Sequence, residues 1–117
     1  MIEAVNTFLV KYKEQGHVHP LIQQADLQIT LQSENQAIQL AIKNGVILIM
    51  QNSPEQQPKY QIIGDHKAME QLIEGTERLR VLERQGHLEI AAPLRATLLL
   101  ESLFYLTKAQ ENFAKVI

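Results

Sequence analysis

Cysteine is absent from the 117-residue chain. That excludes a disulfide framework and a thiolate metal site, and it fits a reducing, cytoplasmic setting. A basic excess is also missing: 11 Lys and Arg stand against 13 Asp and Glu, a net charge of −2. A nucleic-acid partner is therefore not expected. No apolar run approaches the ~20 residues that span a membrane. Glu3 and Asn6 interrupt the apolar region that a signal peptide would need. The final residues, AKVI, offer neither a cysteine to prenylate nor a peroxisomal address. GxGxxG, P-loop and GxSxG patterns are lacking, and with them the usual signs of a phosphate cradle or a nucleophile elbow. There is no internal repeat, although glutamine is frequent.

What remains is an ordinary globular composition, 45% hydrophobic and 21% charged, at a length expected for one domain over residues 1–117 with one core. Ile2, Val5, Leu9 and Tyr12, with Phe8 beside them, predict an amphipathic helix over 2–15 ended by Gly16. "GHVHP" reads as a break, because Pro20 cannot continue that helix. In "DLQITLQS", Leu27, Ile29 and Leu31 alternate with Gln28, Thr30 and Gln32, the pattern of a half-buried strand.

"AIQLAIKNGVILIM" carries the clearest local signal. Asn44-Gly45 predicts a two-residue hairpin turn, since both turn positions need positive φ. Lys43 then faces Val46, Ile42 faces Ile47 and Leu40 faces Ile49. One face collects Ile38, Leu40, Ile42, Ile47 and Ile49. The other collects Ala37, Gln39, Ala41, Val46, Leu48 and Met50, apolar enough to expect partial cover. "NSPEQQP" reads as a polar loop and "KYQIIG" as a fourth strand. Asp65 caps a helix over 66–74 that turns Ala68, Met69, Leu72 and Ile73 inward, with Gly75 as its stop. Leu79 and Leu82 indicate another helical turn ended by Gly86. "HLEIA" is a fifth strand, and Pro93 opens a last helix. Gly75 and Gly86 are each expected in a left-handed conformation.

This order of elements resembles the sterol carrier protein 2 family, over about residues 26–106. The resemblance rests on "IKNGVILI", "YQIIGDHKAMEQLIEG", "LERQGHLEI" and "LRATLLLESLFYL". The chain departs from the family in having Ala91-Ala92 where a further glycine is common, and in lacking a peroxisomal tail. The latter implies a bacterial-type, cytoplasmic member. The resemblance implies an α/β (α+β) fold, with a mostly antiparallel five-stranded sheet and packed helices. An apolar tunnel between the layers would take sterols, acyl chains or other hydrophobic small molecules. It also implies a mainly non-enzymatic role without a cofactor, in lipid binding and transfer or as a lipid-free dimerisation or accessory module.

The residues themselves bear on a tunnel. In "LLLESLFYL", residues 98–106, only Glu101 and Ser102 are neither apolar nor aromatic. On a helical wheel Leu98, Leu99, Leu103, Leu106 and Ala109 form one face, which Leu100 and Phe104 widen. A helix resting on one sheet needs a stripe only ~100° wide. Ordinary core packing with the first helix, a lipid cavity or a dimer interface would each cover the surplus. The candidate lining is Ile38, Leu40, Ile42, Ile47 and Ile49 from the hairpin, Met69, Leu72 and Ile73 from the middle helix, and Leu99, Leu103 and Phe104 from the last. Plain core packing is the competing reading for each.

Other constellations say less. His17 and His19 have strand spacing on one side of Val18, but no third ligand accompanies them, so no metal site is expected. His66 and His87 stand alone. Arg78, Arg80 and Arg84 form the one local basic cluster. They are either a solvated surface or a contact for a lipid headgroup and, transiently, an anionic membrane surface.

Overall fold

The computed structural model describes residues 2–34, 36–50 and 60–116, with side chains as far as residue 107. Two helices come first, α1 (Ile2–Glu14) and the short α2 (His19–Ile22). Three strands follow: β1 (Asp26–Gln32), β2 (Ala37–Lys43) and β3 (Val46–Met50). Next come β4 (Tyr60–Gly64), α3 (His66–Glu74), α4 (Leu79–Arg84), β5 (Leu88–Ala91) and α5 (Leu94–Val116). The expected polar loop at 52–58 lies outside the described residues. α2 begins within the break at "GHVHP", with Pro20 in its first turn, where a missing N–H costs nothing.

The five strands form one sheet in the order β3-β2-β1-β4-β5. All neighbours are antiparallel except β1 and β4, which run parallel. The hairpin register is the one predicted from the turn, with Lys43 opposite Val46, Ile42 opposite Ile47 and Leu40 opposite Ile49. Asn44 (φ 52°) and Gly45 (φ 82°) both take the left-handed conformation that the turn requires.

Because cross-strand partners share a face, the register divides the sheet cleanly. The inner face presents Ile29, Leu31, Ile38, Leu40, Ile42, Ile47, Ile62 and Leu88, which join buried residues of α1, α3, α4 and α5 in one core. The outer face carries Gln28, Gln32, Gln39 and Gln61, which gives the glutamine richness a place. That face was expected to be partly covered, and Gln39, Ala41 and Met50 are half-buried on it. Val46 and Leu48 are 52% and 60% exposed, because the helices pack on the other side.

The middle of the chain follows its local signals. The Asp65 carboxylate accepts the Ala68 N–H at 2.7 Å, and Gly75 closes α3 at φ 75°. Gly64 answers to space instead: a Cβ there would come within 2.6 Å of the His87 carbonyl and would strike the Leu88 side chain. α4 has no side-chain cap of its own. Glu101 of α5 supplies one by accepting the Arg80 N–H at 2.9 Å, which accounts for a carboxylate inside an apolar helix.

α5 buries one side of the broad apolar face read from the wheel. Leu98 and Leu106 are 39% and 43% exposed, whereas Ala96, Leu100, Leu103, Phe104 and Thr107 are buried. A helix that is apolar nearly all round leaves its orientation to its neighbours. The neighbour here is α1, whose Phe8 ring lies 4.8 Å from that of Phe104, centroid to centroid.

Candidate functional site

The predicted lining residues lie on facing elements of the two layers. Ile38, Leu40, Ile42 and Ile47 on the sheet, Met69, Leu72 and Ile73 on α3, and Leu103 and Phe104 on α5 are all buried within the core. Leu99 packs against it, half-buried. Ile49 stands apart: it lies on the inner face but is 40% exposed, because the helical layer stops short of β3. Between α1 and α5 the interior is occupied by the Phe8 and Phe104 rings.

At that uncovered margin there is a hollow of about 260 Å³, lined by Leu9, Tyr12 and Lys13 of α1, His19 of α2, and Gly45, Val46, Ile47 and Leu48 of the hairpin. Its volume is below the ~300–1,000 Å³ usual for whole small-molecule ligands. It exceeds the ~150 Å³ that holds a benzene ring in an engineered apolar cavity. It therefore suits a stretch of alkyl chain. Ile47 belongs both to this wall and to the buried core, so the hollow borders the predicted lining.

Polar bonds hold the hollow's frame. The Tyr12 hydroxyl donates to the Gly45 carbonyl at 2.5 Å. The Asn44 N–H donates to the Ala25 carbonyl at 3.1 Å, and the Gly45 N–H to that of Ile22 at 3.0 Å. His19 Nε2 lies 2.8 Å from the Tyr12 carbonyl, and the two rings are 4.5 Å apart. A carbonyl only accepts, so this contact places the ring proton on Nε2. Burial pushes the Tyr12 phenol above its ordinary pKa, so it stays a donor at neutral pH. Leu9, Tyr12, Lys13 and His19 were not among the predicted lining. The proximity of Leu9 and Tyr12 in α1 was legible, but nothing local shows that α1 ends beside the hairpin turn.

A second, polar hollow of about 220 Å³ lies at the other end of the sheet, lined by Asp65, Lys67, Ala68, Gln71, Gln85 and His87. His87 Nδ1 is 3.8 Å from Asp65 Oδ2, and both side chains are well exposed. The Asp65 carboxylate is already committed to capping α3. Its ionisable side chains are Asp65, Lys67 and His87, and no hydroxyl or thiol lines it. His66 pairs with Glu70 one turn along α3, at 2.6 Å.

Arg78 lies over the Tyr105 ring, 4.6 Å from its centroid. Arg80 and Arg84 are exposed on α4. Among the described residues, no group of three His, Asp or Glu side chains is placed to hold a metal ion. No described helix is long and apolar enough to cross a membrane.

Comparison with known proteins gives this arrangement a context. The model of the SCP-2 sterol transfer family matches residues 6–104. No curated protein matches the sequence. Among solved structures, the UbiJ-SCP2 ubiquinone synthesis protein superposes with a TM-score of 0.64 at 14% identity, over 90% of this chain and 85% of that one. A sterol carrier protein 2 crystal structure gives 0.60 at 17% identity, covering 93% and 89%. A stereoselective inverting sec-alkylsulfatase from Pseudomonas sp. gives 0.61 at 16% identity, over 74% of this chain but only 14% of the enzyme. The shared fold is the mixed five-stranded sheet with helices packed on it.

Proposed function

Because the chain belongs to the SCP-2 sterol transfer family, we propose that it binds and carries a hydrophobic small molecule inside the cell, holding an acyl or similar tail between helical layer and sheet without covalent chemistry. The single observation behind this reading is the apolar hollow between α1 and β3, with Ile47 shared between its wall and the core. A tail entering there would meet Leu9 and Ile47 first. To go deeper it would part the layers along Ile42, Leu40 and Ile38 on the sheet and Met69, Leu72, Ile73, Leu99, Leu103 and Phe104 on the helices, as α5 shifts. Ile49, at the margin, would be covered by the guest. Each buried methylene would contribute ~0.8 kcal/mol, so affinity needs no specific polar motif. Met69 suits a variable guest, since its unbranched side chain adapts its shape. Exposed Arg80 and Arg84 would meet a headgroup or an anionic membrane surface during transfer.

Native mass spectrometry after gentle purification, together with uptake of a fluorescent fatty acid, tests this. A co-purifying lipid, or saturable uptake that Leu9→Trp reduces, is the expected result. Neither bound lipid nor uptake at any protein concentration would overturn the reading.

A further inference from the structure

We infer that β3 is an interface strand, and that a second copy of this chain pairs with it antiparallel to make one continuous sheet. The two edges of the sheet differ in kind. β5 is only four residues long and carries Glu89, features that blunt an edge. β3 reads VILIM: it has no charge and no proline, and Val46, Leu48 and Ile49 are exposed across its two faces. Among the described residues β3 has a strand neighbour on one side alone, and an apolar strand edge is a template for pairing.

The register identifies the occupant. A two-residue turn makes Lys43–Val46 a hydrogen-bonded pair. Alternation along the ladder makes Ala41–Leu48 and Gln39–Met50 hydrogen-bonded too. The N–H and C=O groups of Ile47 and Ile49 therefore point away from β2, toward the open edge. A two-fold axis at Leu48 sets Ile47 against Ile49 of the second copy and Ile49 against its Ile47. Every outward backbone group is then paired, and Leu48 faces Leu48 in the closer, non-hydrogen-bonded position. The strand is complementary to itself: VILIM brings no like charges together, and every residue of it meets an apolar one. Such an isologous contact closes as a dimer rather than growing.

The pairing also reaches the hollow. Ile47 lines it, and Ile49 of the second copy would stand beside Ile47 on the same face. Each copy would thus supply an apolar residue to its neighbour's pocket mouth. This inference rests on the strand edge and stands whether or not a lipid binds.

Sedimentation velocity of the full chain across a wide concentration range tests it, with circular dichroism to check folding. The expected result is a dimer that Ile49→Pro abolishes, since proline removes an edge N–H without touching the ladder to β2. Leu48→Lys, on the exposed face, sets two cations across the axis and should weaken association by roughly tenfold or more. Leu94→Lys, at a 63%-exposed site on α5, should leave association unchanged. Should Ile49→Pro fail to fold, Leu48→Lys decides alone. A wild-type chain that stays monomeric at every concentration, or a dimer indifferent to Leu48→Lys, overturns the inference. So does rapid amide exchange of Ile47 and Ile49 within a dimer.

Discussion

At the β5 end of the sheet, Leu79, Leu82 and Leu88 are sealed into the core, and Gly64 leaves no space for even a methyl group beside the neighbouring strand. At the β3 end, Ile47 is buried but Ile49 and Leu48 are open, and the hairpin turn is moored to α1 and to the α2–β1 connection by hydrogen bonds around a hollow. Beneath its polar surface hollow, the core at the β5 end is held by close packing, which tolerates neither loss nor gain of volume. The other is held by a few polar contacts, which fix position while leaving room. A carrier needs both: a part that stays shut and a part that admits a guest.

The contrast can be broken most sharply by deleting the same kind of group at each end. Leu82→Ala should cost about 2–5 kcal/mol in urea unfolding, whereas Ile49→Ala should cost under ~1 kcal/mol because its side chain is already in contact with water. Equal costs would mean that the β3 end is as sealed as the other. Adding volume comes next. Gly64→Ala should destabilise by about 1–3 kcal/mol, because the obstructing atom is a backbone carbonyl that cannot rotate away.

The moorings should give a smaller effect. Tyr12→Phe leaves the Gly45 carbonyl without its donor and should cost about 1 kcal/mol. Its pH signature is the sharper test. The phenol's pKa is raised on folding, so its contribution is full below the unfolded value of about 10. It is lost as pH rises through the folded value. Wild type should therefore lose an increment of stability at strongly alkaline pH that Tyr12→Phe lacks. The smallest effect should come from Asp65→Ala, a lost helix cap worth about 1 kcal/mol or less at an exposed site.

Much of the closed end was legible because its signals are local. Asp65 and Gly75 bracket α3 at its observed bounds, and Leu79, Leu82 and Gly86 mark α4. The hairpin was equally readable, since Asn44-Gly45 dictates both turn and register. The open end depends on long-range placement. That β4 crosses to lie parallel to β1, and that α1 ends above the hairpin turn, is written in no window of sequence. The orientation of α5 was legible only in part for a related reason: with leucines on nearly every side, contact with Phe8 favours Leu100 and Phe104 over Leu98 and Leu106. Ile49 shares its strand parity with Ile47, and only the extent of the helical cover separates them.

The Asn44-Gly45 turn has one more consequence, which concerns how the molecule ages. An asparagine followed by glycine is the step at which chains most readily deamidate, through attack of the glycine nitrogen on the asparagine side chain. Here that nitrogen's hydrogen is engaged by the Ile22 carbonyl, and both residues are fixed in the left-handed region. The ring-closing geometry is thereby kept out of reach while the hairpin stays moored. Conversion of Asn44 to aspartate in an old sample would then count the occasions on which the hairpin had come loose, a chemical clock that runs only when this corner of the protein is undone.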